Sequence, residues 1–153
     1  MSLPHLRTDR RRPTRGTVGA VLGAACVLSV GVSAAPAAST TALKAALKGS
    51  DETGPGDTDG RGTATVAIKG TRLCYSLSLA KVVTTGGHVH RGAAGTDGPI
   101  VATFYNGKED RSGCLTVSST LAKQIATKPS AFYVNLHNET FPEGAVRGQL
   151  RKG

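Results

Sequence analysis

Along most of the chain after residue 40, hydrophobic and polar positions alternate with a period of two. The clearest stretch is 131–150, where Phe132, Val134 and Leu136 alternate with Tyr133, Asn135 and His137, and Val146 and Leu150 alternate with Arg147 and Gln149. Aromatic and β-branched residues in that period read as half-buried strands. Pro142-Glu143-Gly144 between the two runs supplies the fixed φ and the glycine of a turn. Residues 63–68 and 72–80 alternate in the same way around Lys69-Gly70-Thr71, a hairpin signal. Gly86-Gly87 breaks the pattern before a short strand at His88-Val89-His90, and a flexible turn runs from Gly92 to Pro99. Strands are predicted at 100–105 and 112–117, the first ending in the turn dipeptide Asn106-Gly107. Residues 40–48 suit a helix by their alanines but are assigned to a strand because their surroundings are β. The one helical stretch is 121–127, with Ser119 or Thr120 as its N-cap and Pro129 beyond its end. The expected fold is all-β, a small Greek-key-like sandwich or flattened barrel of about seven or eight strands with one short helix.

The start of the chain has a different pattern. Arg7, Arg10, Arg11, Arg12 and Arg15 precede an apolar run over 18–32, and Ala35-Pro36-Ala37 offers a small-residue cleavage site. This is the layout of a secretory signal peptide over 1–37, leaving a single domain at 38–153. The apolar run is shorter than the roughly 20 residues of a membrane span, so no stable span is expected after cleavage. Removing the leader changes the charge balance. Five of the 19 Lys and Arg and one of the ten Asp and Glu fall in it, leaving 14 basic against nine acidic residues, a net +5. The remaining cations are scattered and not interleaved with aromatics, which argues against nucleic acid.

Two cysteines remain, Cys74 and Cys114. In an oxidising compartment a lone pair usually forms a disulfide. Alternation places each on the strand face opposite its neighbouring leucines. The remaining readings are two free thiols or a pair of metal ligands. The loop over 49–62 carries four acids, but Arg61 and Ile68 stand where a calcium loop needs oxygen ligands, so it reads as a polar solvated loop.

Several motifs occur together and in order: Leu73-Cys74-Tyr75, Gly87-His88-Val89-His90-Arg91-Gly92-Ala93, Gly98-Pro99-Ile100-Val101, Phe132-Tyr133-Val134-Asn135-Leu136-His137, and Pro142-Glu143-Gly144-Ala145-Val146-Arg147-Gly148-Gln149-Leu150. In these the chain resembles the CHRD domain, a module of the animal protein chordin and of many exported bacterial proteins. The resemblance runs from about Leu43 to Leu150. It implies a secreted or extracytoplasmic β domain with no agreed biochemical activity. Ala145 departs from the pattern, since the family often has an acid before the Arg-Gly pair. That leaves the partner of Arg147 open, with Glu143 nearest and Glu52 an alternative.

His88 and His90 lie two apart and therefore project to one face of a strand. His137 shares its parity with Asn135 and Tyr133, so three imidazoles from two strands can converge, and neutral imidazole suits copper, zinc or nickel. Gly86-Gly87-His88-Val89-His90 is also similar to the copper segment of copper–zinc superoxide dismutases. Those enzymes need further histidines, and none lies between Arg91 and Leu136. The competing role is architectural, each ring joining one carbonyl and one N–H. Arg147, with Glu143 and Asn135, either holds the last hairpin or faces a ligand. No nucleophile elbow, phosphate cradle or dinucleotide fingerprint is present. The sequence therefore favours a non-enzymatic exported module without cofactor, whose partner is an extracytoplasmic protein or polymer. The alternative is a copper or zinc protein using His88, His90 and His137, with simple redox activity.

Overall fold

The computed structural model describes residues 39–153; the predicted leader at 1–37 lies outside them. Nine strands form one antiparallel sheet: β1 Thr41–Lys48, β2 Arg61–Lys69, β3 Arg72–Ala80, β4 Gly86–Arg91, β5 Ile100–Asn106, β6 Ser112–Thr116, β7 Phe132–His137, β8 Val146–Gln149 and β9 Arg151–Lys152. Their order is β5-β4-β7-β8-β1-β2-β3-β6, with the short β9 paired to β1. The sheet curls until its edges approach. Tyr75 of β3 stacks on Phe104 of β5 at 4.2 Å, and its hydroxyl donates to the Phe104 carbonyl. The result is a nearly closed flattened barrel rather than a two-sheet sandwich.

Alternation sets what goes inside. Leu43, Ala45 and Leu47 of β1, Ala64, Val66 and Ile68 of β2, and Leu73, Tyr75 and Leu77 of β3 point inward. They meet Val89 from β4 and Phe132, Val134 and Leu136 from β7. The chain crosses the barrel between β3 and β4 and again between β6 and β7. Helix α1, Ser119–Thr127, lies in the second crossing and buries Ala122 and Ile125 against the core.

Several expectations change in detail. The helix begins two residues early, and its cap is Ser118, whose hydroxyl accepts the Leu121 N–H. The carbonyl of Ser118 also opens the helical ladder at Ala122, so the first turn is complete without Ser119 or Thr120 as cap. Gly86-Gly87 lies within β4 rather than breaking it. A Cβ at Gly87 would press on the Tyr105 ring and on Leu136, so a glycine there lets those side chains close over the strand. The terminal hairpin is not half-buried: β7 is buried on both faces except at His137. Loops cover its outer side, and period-two alternation cannot report what covers a polar face.

Cys74 and Cys114 stand directly opposite each other on β3 and β6 and form a disulfide on the outer face of the barrel, closing a separation of 40 residues. It fastens β6, an edge strand whose ladder partner is β3 alone. On the chain-entropy model such a loop constrains the unfolded state by about 4 kcal/mol. Replacing both cysteines by serine is expected to cost about 2–4 kcal/mol in denaturant unfolding. A variant as stable as the parent would show that β6 holds without its staple.

Candidate histidine centre

The outer faces of β4 and β7 carry the residues with unusual surroundings. Pairing between them sets His88 opposite Asn135, His90 opposite Tyr133 and Gly86 opposite His137. Because Gly86 has no side chain, the space beside the two neighbouring rings stays open. A Cβ there would stand 3.7 Å from His88 and 3.8 Å from His137. The three rings gather with centroids 5.0 Å apart for His88–His137, 5.8 Å for His88–His90 and 6.4 Å for His90–His137. One ligand atom from each lies within 4.8 Å of the others.

Hydrogen bonds settle two of the tautomers. His90 Nδ1 bonds the Gly98 carbonyl at 2.9 Å, and His137 Nδ1 bonds the Pro142 carbonyl at 2.9 Å. A carbonyl only accepts, so both Nδ1 atoms carry a proton, and in the neutral form of either ring Nε2 is the nitrogen with the lone pair. Those two Nε2 atoms and His88 Nδ1 are buried without a hydrogen-bond partner. Burial, with the neighbouring His137 and His90, lowers the pKa of His88 to about 4. Burial also lowers His90, against the opposing effect of its bond to Gly98. His88 and His90 are therefore neutral at pH 7.

Beside the histidines lies a second layer. Arg147, 1% exposed, projects from β8 with its guanidinium 3.5 Å above the Tyr133 ring. His90 stacks on the same ring at 4.8 Å. Since β4 and β8 flank β7 on opposite sides, the tyrosine is held between an imidazole and a guanidinium. The partner of Arg147 is neither Glu143 nor Glu52. Its guanidinium pairs with Asp97 at 3.2 Å and donates to the Ala93 and Thr96 carbonyls, because the loop over 92–99 folds back across β7 and β8. Gly98 ties down the far end of this loop. Its N–H donates to the Tyr133 hydroxyl while its carbonyl receives the His90 proton. A Cβ on Gly98 would overlap the Arg91 carbonyl.

Glu52 comes from the loop after β1, and Asn135 Nδ2 donates to both of its oxygens at 3.0 and 2.9 Å. Burial raises the Glu52 pKa to about 7, against the lowering effects of Arg147 and Asn135. Glu143 stands on the rim of a cleft of about 320 Å³ that Glu52, Asp97 and Gly144 also line. Gly144 is small by necessity, since a Cβ there would meet Glu52 and Asn135. Sequence reasoning missed Asp97, Gly98 and the Pro142 carbonyl as members of the site. A glycine-rich turn is visible in sequence, but the strand it folds onto is not.

A barrel of antiparallel strands with a polar, loop-covered layer outside β4, β7 and β8 defines a small β module with a histidine cluster on its outer side. The CHRD domain family model matches residues 43–150, and the chain belongs to that family. No curated protein and no solved structure gives a significant match.

A raised carboxylate pKa means that the folded state holds a proton the unfolded state has already lost. Glu52 therefore contributes stability below about pH 4.5 that disappears as pH rises through about 7. Glu52→Gln is expected to remove this slope. Its stability relative to the parent should rise between pH 5 and pH 8, measured by urea unfolding. An unchanged difference across that window would place the Glu52 carboxyl in ordinary solvent.

Proposed function

We propose that this CHRD domain works outside the membrane as a non-enzymatic binding module, and that it binds a divalent copper or zinc ion through His88, His90 and His137. One observation carries this reading: the three rings each bring a ligand atom within 4.8 Å of the others, and His88 Nδ1, His90 Nε2 and His137 Nε2 are buried with no hydrogen-bond partner. Buried polar atoms left unpaired cost about 1–3 kcal/mol each, and a cluster of three is costly unless something binds them.

The donor set suits the ion. Neutral imidazoles favour copper and zinc over calcium or magnesium, and at a common site copper(II) binds more tightly than zinc. Backbone carbonyls on the far nitrogens of His90 and His137 are the outer partners that fix ring orientation around a metal. When bound, the ion supplies a Lewis-acidic centre with a coordination position not taken by the protein. The chain's own residues do the rest: Gly98 and Pro142 orient two rings, Tyr133 and Arg147 back His90, and Gly86 leaves room beside the other two. Extracytoplasmic location is supported by the Cys74–Cys114 disulfide, which suits an oxidising compartment.

The architectural reading draws on the same two carbonyl bonds, in which His90 and His137 simply tie loops to strands. It leaves the three buried nitrogens without partners. The readings separate experimentally. Purified protein is expected to hold about one copper or zinc per chain by elemental analysis. A hundredfold excess of zinc over its dissociation constant should add about 2.7 kcal/mol to the metal-free form. The pair His88→Ala and His90→Ala should abolish both effects while circular dichroism still reports the β fold. Metal-free protein that gains no stability from copper or zinc would leave the histidines with the architectural role alone.

A further inference from the structure

The outer face of the half-barrel formed by β9, β1, β2, β3 and β6 carries six basic residues and no acidic one: Lys44, Lys48, Arg61, Lys69, Arg72 and Arg151. All six are exposed. Lys152 stands opposite the inward-facing Leu43 and donates to the Ala126 carbonyl, off this face. Among the described residues none of the six takes part in an ion pair. Register makes the arrangement stranger. Lys44 stands directly opposite Arg151, Lys48 opposite Arg61 and Lys69 opposite Arg72. Like charges directly across a sheet destabilise it, so three such pairs on one face work against the fold. Four acids, Asp51, Glu52, Asp57 and Asp59, lie in the loop between Lys48 and Arg61; Asp59 is paired with Lys81, Glu52 accepts from Asn135 and Asp57 accepts from the Gly60 N–H.

We propose that this outer face is a docking surface for a linear anionic polysaccharide. Charge complementarity gives the sign of the partner. Spacing gives its extent: Arg61 and Lys69 are eight residues apart on one extended strand, about 26 Å, which a small anion does not bridge and a chain does. Between the cationic ends lie Thr63 opposite Ser78 and Thr65 opposite Ser76, hydroxyl rows suited to sugar hydroxyls. The outward positions of β1, β2 and β3 are otherwise Ala42, Ala46, Ala67, Ala80 and the disulfide, with no aromatic for base stacking and no large apolar side chain to enter a bilayer. This surface shares no residue with the histidine centre and stands or falls separately from it.

The test uses purified protein and dextran sulfate as the probe, with neutral dextran as its control, at several salt concentrations. Affinity for dextran sulfate is expected to fall steeply with salt, as counterion release requires. Lys44→Thr, Lys48→Thr and Arg61→Thr together should weaken it at least about tenfold at 0.1 M salt and reduce the salt slope by about two to three. Lys108→Gln, Lys123→Gln and Lys128→Gln remove the same charge elsewhere and should change affinity less than about twofold. Equal losses in the two triples would reduce the effect to net charge and overturn the proposal. So would duplex DNA or phosphatidylglycerol vesicles binding as tightly through the same three residues. Lys69→Glu provides a second reading that does not depend on a triple variant, because it places opposite charges across the sheet. It should raise the melting temperature while weakening the polymer, and a variant that leaves binding intact would overturn the surface assigned here.

Discussion

A guanidinium that is 1% exposed has to be satisfied by protein, since a buried, unpaired cation is among the costliest groups a fold can hold. Arg147 meets that requirement with Asp97, two carbonyls of the 92–99 loop and the face of Tyr133. The cover over Tyr133 and His90 follows from it. The loop must cross β8 and β7 to reach the arginine, and in doing so it lays Gly98 beside both Tyr133 and His90. The pair with Asp97 is one-sided, because the Asp97 side chain is 76% exposed, so the carbonyls and the ring carry much of the satisfaction. A lysine in place of Arg147 would lack the planar fork that serves these partners together.

The same loop and the turn between β7 and β8 together convert a row of strand histidines into an oriented set. An imidazole on an open strand rotates and exchanges protons with water. Here two rings are fixed by backbone carbonyls on one nitrogen, so their other nitrogens are aimed rather than merely present. For His90, neutrality and aim have separate causes, burial for the first and the bond to Gly98 for the second. Glu52 belongs to the adjoining part of this layer. Its carboxylate is taken from water by the loop after β1 and steadied by Asn135, the residue across the strand pair from His88.

The barrel thus has two outer surfaces of opposite character. Around β4, β7 and β8, loops fold back over the strands and polar groups are internalised. Around β1, β2 and β3 the strands stand bare, and alternation exposes small residues and cations. Both follow from one inward-facing core. Once Leu43, Val66, Leu73, Val89 and Val134 fill the interior, the alternate residues must face outward, and loop length decides whether they meet protein or solvent.

Period-two alternation and turn residues, read from the sequence alone, located seven of the first eight strands and the hairpins. Capping residues and a closing proline located the helix, and β1 was assigned only from its β surroundings. The two thiols also followed from alternation, since Leu73 and Leu115 flank cysteines that have to face away from them. The ninth strand, two residues long, gave no pattern to read. The parity of His88, His90 and His137 placed three imidazoles on one side of their strands, because side-chain direction in a strand is local. The partner of Arg147, the protons on His90 and His137, and the unpaired nitrogens were decided by tertiary structure. Each depends on which loop carbonyl reaches which strand, and a backbone carbonyl is the same in every residue of the sequence. The opposed cations of the bare face belong to the same class: each lysine or arginine is visible in the chain, but only strand register determines that they stand across from one another.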